Sequence, residues 1–272
     1  MRRFALRDAA NEDAGILALL ECYERGGRAF YLELPPQADP WELPFVLHEF
    51  AQQGEPTVDA RWSLKWVQSR LVPTERQNLG EVLRVNGLDA YDELRLLELT
   101  GGRCSQDDCY LVPMENEQLP AWYVERMALR ALDVYPLERF RLLVSFRDGA
   151  TMLCDMQKNL ARERSFARVL NDEDVFCRAT AQPGGHGVRW GTMLAVASNT
   201  LRERGRRVAL SASDIAVLAR QAVVDTAEVA RLLECSRQNV SDLVRRGKLV
   251  PLKTSPRGPL FLRSDIYQRL DS

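Results

Sequence analysis

Residues 226–270 read TAEVARLLECSRQNVSDLVRRGKLVPLKTSPRGPLFLRSDIYQRL. Ala230 is small enough to sit where two helices cross, and the turn falls near Glu234 and Cys235. Val240 and Leu243 then occur at the spacing of one inward helix face. Ser236 is placed to cap the second helix, which presents Arg237, Gln238 and Asn239 on its first turn. Two extended arms are expected next, Gly247-Lys-Leu-Val-Pro-Leu252 and Pro259-Leu-Phe-Leu262, around Lys253-Thr-Ser-Pro-Arg257-Gly258. Ser264 to Leu270 closes the stretch as a short helix.

This pattern is that of a helix-turn-helix followed by a hairpin wing. It resembles the winged helix-turn-helix of the excisionase and MerR-like DNA-binding families, through the recognition-helix pattern, the G-K-L-V-P entry into the wing and the closing S-D-I. The resemblance implies that the second helix enters the major groove while the wing follows the backbone. Carried onto this chain, Arg237, Gln238, Asn239 and Ser241 face the groove, Arg245, Arg246, Lys248, Lys253 and Arg257 meet phosphates, and Ser236 joins this DNA-binding set as the cap of the helix. Arginine matches guanine, and Gln or Asn matches adenine. One position departs from the family. Glu234 stands where the turn has glycine, and a non-glycine residue in the left-handed region costs roughly 1–2 kcal/mol.

Charge supports that reading. From Thr200 onward there are 14 Lys/Arg against 8 Asp/Glu, whereas residues 1–199 carry 23 against 30, so the basic end suits an acidic partner such as double-stranded DNA. In 272 residues, 46% hydrophobic and 28% charged, several globular units can form and wholesale disorder is excluded. No apolar run reaches the ~18 residues of a membrane span, and acidic residues arrive early after Met1, so a cytoplasmic protein with no membrane partner is expected. Six cysteines lack a C-x-x-C pair, and the two histidines are His48 and His186. Reduced thiols, no metal and no cofactor are expected.

The expected architecture is α+β and multi-domain. Residues 1–120 form a helix-rich mixed unit, 121–205 a small antiparallel sheet with a helix, and 208–272 the winged unit. In the first, Ala29 to Leu34 reads as a strand closed by Pro35-Pro36. Asp39-Pro40-Trp41-Glu42 starts a helix whose apolar stripe is Trp41, Phe45, Val46 and Phe50. Thr74 to Gln77 opens another helix, stopped by Asn86-Gly87. A third runs from Leu88 to Leu99 and ends at Gly101-Gly102.

In the second unit, Phe140, Leu142, Val144 and Phe146 alternate with polar residues. Asp148-Gly149 makes a hairpin turn, and Met152, Cys154 and Met156 continue the alternation. A polar helix near Asn159 to Leu170, a strand near Phe176 to Ala181, a turn at Pro183-Gly-Gly-His-Gly187 and a strand from Val188 to Leu194 follow. Leu201-Arg-Glu-Arg-Gly-Arg-Arg207 marks the boundary to the third unit.

This middle segment resembles a small bacterial α+β domain family of unassigned function, found near toxin and antitoxin genes. The likeness rests on Ala131-Leu-Asp-Val134, Phe140 to Gly149, Asn171 to Phe176, Gly187-Val-Arg-Trp190 and Ser198-Asn-Thr-Leu201. It implies a fold and carries over no catalytic residue. Trp62 to Arg70 and Gly101 to Asp108 are similar to sequences ahead of HipA-like toxin kinases, but no H-x-D loop or glycine-rich phosphate loop follows, so kinase activity is not implied.

No enzymatic centre is expected. His186 reads as an exposed loop residue and the adjacent Asp107 and Asp108 as a cap or turn; Trp62 and Trp66, one helical turn apart, read as core. The leading expectation is a sequence-specific DNA-binding regulator of bacterial or phage type, an antitoxin-like autorepressor among its forms. It would act as a homodimer with a protein partner on its first two units. The alternative is an adaptor of a toxin-antitoxin or phage-defence system whose helix-turn-helix contacts protein. A third reading is a nucleic-acid enzyme centred on Asp107 and Asp108.

Overall fold

The computed structural model describes residues 1–24, 28–160, 163–192 and 194–270. Among them the chain is α+β with antiparallel sheets throughout. The first region comprises β1 (Arg2–Asp8), β2 (Ala18–Tyr23), β3 (Ala29–Glu33), α1 (Phe45–Gln52), β4 (Thr57–Val58), α2 (Ala60–Ser69), α3 (Leu79–Val85), α4 (Glu93–Thr100), β5 (Cys109–Pro113) and α5 (Ala121–Ala128). Its sheet has the order β4-β3-β2-β1-β5.

Strand alternation gives that sheet two unlike faces. Leu20, Cys22, Phe30 and Leu32 point into a core with Leu47 of α1, Trp66 and Val67 of α2, and Leu94 and Leu97 of α4. The opposite face carries Leu19 beside Ala5 under Tyr123 of α5, together with Glu21, Tyr31 and Glu33. Every residue of β2 up to Cys22 is buried because both faces are covered.

The second region begins with β6 (Ala131–Leu137), β7 (Arg141–Phe146) and β8 (Thr151–Asp155), the hairpin β7–β8 turning at Gly149 with φ +84°. Then come α6 (Met156–Leu160), α7 (Ala167–Leu170), α8 (Glu173–Phe176), β9 (Thr180–Ala181), β10 (Gly187–Trp190), β11 (Leu194–Ala197), α9 (Ser198–Arg204) and β12 (Arg206–Val208). Leu142, Val144 and Phe146 face a core containing Phe166, Phe176, Trp190 and Leu201. The last region has α10 (Ala212–Ala222), β13 (Val223–Asp225), α11 (Thr226–Leu232), α12 (Arg237–Arg245), β14 (Lys253–Ser255), β15 (Gly258–Leu262) and α13 (Arg263–Leu270).

Several expectations change. The helix expected at Asp39 is a single 3-10 turn, Pro40–Glu42, because Pro44 restarts the chain as α1. The stripe rotates accordingly: Leu47 is the buried residue, Val46 and Phe50 pack at the core edge, and Trp41 and Phe45 are exposed. The third helix starts later, at the Asp92 cap, and ends at left-handed Gly101. The strand expected near Phe176 shrinks to Thr180–Ala181, since Asp172 caps a helical turn through Phe176. The strand expected from Val188 to Leu194 forms as far as Trp190, where Gly191 at φ +66° turns the chain toward β11, which pairs back on it from Leu194; Met193 lies outside the described residues.

The Arg-rich stretch belongs to the second region, and the elements of the last region start just after it, at Ala212. Leu201 is 1% exposed in α9 and Arg206–Val208 pairs with β8, so the stretch completes the four-stranded sheet β12-β8-β7-β6. Ala161 and Arg162, inside the polar helix expected from Asn159 to Leu170, lie outside the described residues. Around them are the short pieces α6, a 3-10 turn at Arg164–Phe166, and α7. No helix among the described residues is long and apolar enough to cross a membrane.

Candidate nucleic-acid interface and a buried charged network

Two caps fix the helix pair at the carboxy-terminal end. The Asp225 carboxylate accepts from the backbone N–H groups of Ala227 and Glu228, and the Glu228 side chain answers on the N–H of Asp225. The Ser236 hydroxyl accepts from Asn239 N at 3.2 Å. Between them Glu234 adopts φ +51°, the left-handed conformation that glycine would take without strain, and Cys235 N donates to Ala230 O at 2.9 Å. Val229, Ala230 and Val240 pack with Val224, Leu249, Phe261 and Ile266.

Burying Val240 turns the opposite side of α12 outward, and Arg237, Gln238, Asn239 and Ser241 are all exposed. Their helix start is also the positive end of the α12 dipole, which favours a phosphate. The Ser236 hydroxyl is committed to the cap, so its contribution is to orient the helix. Ser241 Oγ donates to Arg237 O at 3.1 Å, and Arg245 pairs with Asp242 at 2.7 Å on the exposed surface. Arg246 and Lys248 are exposed at the end of α12.

The hairpin differs from expectation on its first arm. Gly247, at φ +65°, starts a turn in which Lys248 N and Leu249 N return to Leu243 O, and the strand begins only at Lys253. β15 instead gains a second partner, β13, whose apolar pair Val223-Val224 is a strand signal missed in the sequence reading. Lys253 and Arg257 are exposed, and Arg257 sits in the tight turn where Ser255 Oγ donates to Gly258 O at 2.8 Å.

A second constellation lies between the first two regions. Glu21 and Glu33 are fully buried on the face of the first sheet covered by α5. Arg130, between α5 and β6, donates from Nη1 to Glu21 at 2.8 Å and from Nη2 to Glu33 at 2.9 Å. Arg126 donates to Glu33 at 2.7 Å, the Thr57 hydroxyl donates to Glu33, and the Tyr123 and Tyr23 hydroxyls donate to Glu21.

His186, 8% exposed, closes the network with Nε2 2.6 Å from Glu21 and its ring stacked on Tyr31 at 3.6 Å. This corrects the expectation of an exposed loop residue. Ser198 Oγ donates to Gly185 O at 2.7 Å and accepts from Ala131 N at 3.1 Å, so the glycine loop is docked against β6.

Burial by itself raises the Glu21 carboxyl, but the hydrogen bond and charge of His186, the charge of Arg130 and the Tyr123 hydroxyl outweigh it. The group is held well below the usual carboxylate range. Tyr123 is pushed up by burial and by the Glu21 charge. Glu21, Glu33 and His186 bring possible ligand atoms within 4.8 Å of one another. The two guanidiniums on the same carboxylates already supply the balancing positive charge, which fits an ion-pair network better than a cation site. The signal available in the sequence was a carboxylate inside each of two apolar strands, Ala18 to Tyr23 and Ala29 to Glu33.

Asp107 and Asp108 do not share a site. Asp107 takes Arg70 at 2.5 Å and Cys109 N at 3.0 Å, whereas the Asp108 side chain is exposed. Trp66 is buried under Arg70, and Trp62 is 40% exposed. Cys22, Cys104, Cys109, Cys154, Cys177 and Cys235 are all free thiols. Burial pushes Cys22 and Cys109 up to about 12 and Cys154 to about 11, so these three are unreactive thiols of the interior. No protein family, curated protein or solved structure matches the chain.

Proposed function

We propose that the last region, from α10 onward, is a winged helix-turn-helix of the excisionase and MerR-like type, and that the chain is a sequence-specific binder of double-stranded DNA acting as a transcriptional regulator. The observation carrying this reading is that one short helix, capped by Ser236 and anchored by Val240, exposes Arg237, Gln238, Asn239 and Ser241 together. The adjoining hairpin exposes Lys253 and Arg257. The helix supplies donors and acceptors for base edges; the hairpin and helix end supply charge for phosphates.

A single such module reads few base pairs, so specific binding is expected of a homodimer, assembled through residues 1–120 or 121–205. Those acidic regions are then the place for assembly and for a protein partner. A selection of bound fragments from random duplex DNA, followed by affinity measurement across a salt series, tests the reading. An enriched motif and a steep fall of affinity with salt are expected. No enrichment together with a flat salt dependence overturns it.

A further inference from the structure

The two most exposed large hydrophobic side chains among the described residues lie four positions apart in the first region. Trp41 is 81% and Phe45 is 80% exposed. The 3-10 turn Pro40–Glu42 lifts Trp41 out, with its backbone N–H held by the Asp39 carboxylate at 2.9 Å. Phe45 opens α1, and His48 follows one helical turn later on the same face. The Trp41 and His48 rings meet edge-on at 4.8 Å, and His48 Nδ1 lies 2.7 Å from Pro40 O, so the ledge is braced. Large aromatic rings exposed together and rimmed by polar residues are the kind of apolar patch that marks an interaction surface.

The charge around them selects the cover. Between Arg28 and Arg61 the chain has no Lys or Arg, while Asp39, Glu42, Glu49, Glu55 and Asp59 are all exposed. Asp39 and Glu42 flank Trp41, and Glu49 follows Phe45 by one turn of α1, so these carboxylates beside the rings repel nucleic acid and anionic lipid and attract guanidinium and ammonium groups, which stack on ring faces while pairing with acids. We propose that the Trp41–Phe45 ledge is a docking surface for an arginine- or lysine-rich peptide segment of a partner protein. It lies in a different region from the exposed face of α12, so a regulator could hold such a partner and DNA through separate surfaces.

The test uses the full chain and a labelled peptide of alternating arginine and leucine, with its citrulline counterpart as control, followed by fluorescence anisotropy. Trp41→Ala and Phe45→Ala keep the net charge and change exposed side chains, so they separate ledge binding from general attraction to an acidic surface. Each is expected to weaken the arginine peptide by about fivefold, and Glu42→Gln with Glu49→Gln by a similar factor. The citrulline peptide should bind far less. Unchanged thermal midpoints confirm that the variants fold. Equal peptide affinity in parent and Trp41→Ala/Phe45→Ala overturns the proposal, as does absence of binding. Loss of self-association in that double variant, seen by sedimentation, without a change in peptide affinity assigns the ledge to a second copy of the chain instead. Loss of single-stranded DNA binding alone assigns it to nucleic acid.

Discussion

His186 Nε2 lies 2.6 Å from a carboxylate oxygen of Glu21, a residue 165 positions earlier in the chain. The contact joins the glycine loop of the second region to the middle of the first sheet, and Arg130 doubles it by holding Glu21 and Glu33 at once. The acidic and aromatic first region is therefore coupled to the second by buried charge, an arrangement whose loss of one partner leaves an uncompensated ion in the interior.

Arg130→Met is expected to destabilise the chain by about 3–5 kcal/mol, because two fully buried carboxylates lose their shared cation. Urea unfolding followed by tryptophan fluorescence measures it. A loss below about 1 kcal/mol would mean that the network is incidental to stability.

The depressed Glu21 carboxyl fixes the sign of the pH dependence. A group ionised more readily in the fold than in the unfolded chain adds stability at pH values above its ordinary value of 4.5. That stability is lost as pH falls below 4.5 toward the lower folded value. The urea midpoint should drop on acidification in this window, and Glu21→Gln should reduce the drop while lowering stability at neutral pH.

Gly185 has φ +77°, and a Cβ there would lie 2.0 Å from the Ala131 carbonyl oxygen. Gly185→Ala combines backbone strain with a clash against a strand, so a loss of about 2–3 kcal/mol is expected. The variant should also release His186 from Glu21, visible as a changed imidazole resonance in NMR.

The turn residue Glu234 makes the opposite prediction. Its φ of +51° is the conformation that glycine takes freely, so Glu234→Gly should raise stability by up to about 1 kcal/mol, the strain relieved less the added freedom of the unfolded chain. The same change removes a negative charge beside α12 and should tighten DNA binding at low salt. A lower thermal midpoint would show the turn to be held by the Glu side chain itself.

For the proposed DNA interface, Gln238→Ala and Asn239→Ala should each cost about 1–3 kcal/mol on the selected site and little on random DNA. Arg257→Ala should weaken all sequences alike and lower the salt slope by about one. If the two helix variants leave sequence preference intact while Arg257→Ala alters it, reading of bases lies in the hairpin.

Locally encoded features were legible in the sequence. The β7–β8 hairpin follows from period-2 alternation around Asp148-Gly149, and α12 follows from the Ser236 cap and the spacing of Val240, because each signal acts within a few residues. The path from Asp39 to Phe50 is not legible from periodicity, because Pro44 breaks the helix that the apolar spacing implies and leaves Trp41 and Phe45 exposed.

What sequence alone determined is the α+β class, the hairpin and the capped helix that exposes Arg237, Gln238 and Asn239. What only the tertiary structure decided is the fate of Glu21, Glu33 and His186. A carboxylate in an apolar strand and a histidine in a glycine loop each look ordinary one at a time. They become one buried network only when β2 and β3 place both acids on the face that α5 and the loop then cover, a contact set by chain closure over more than a hundred residues.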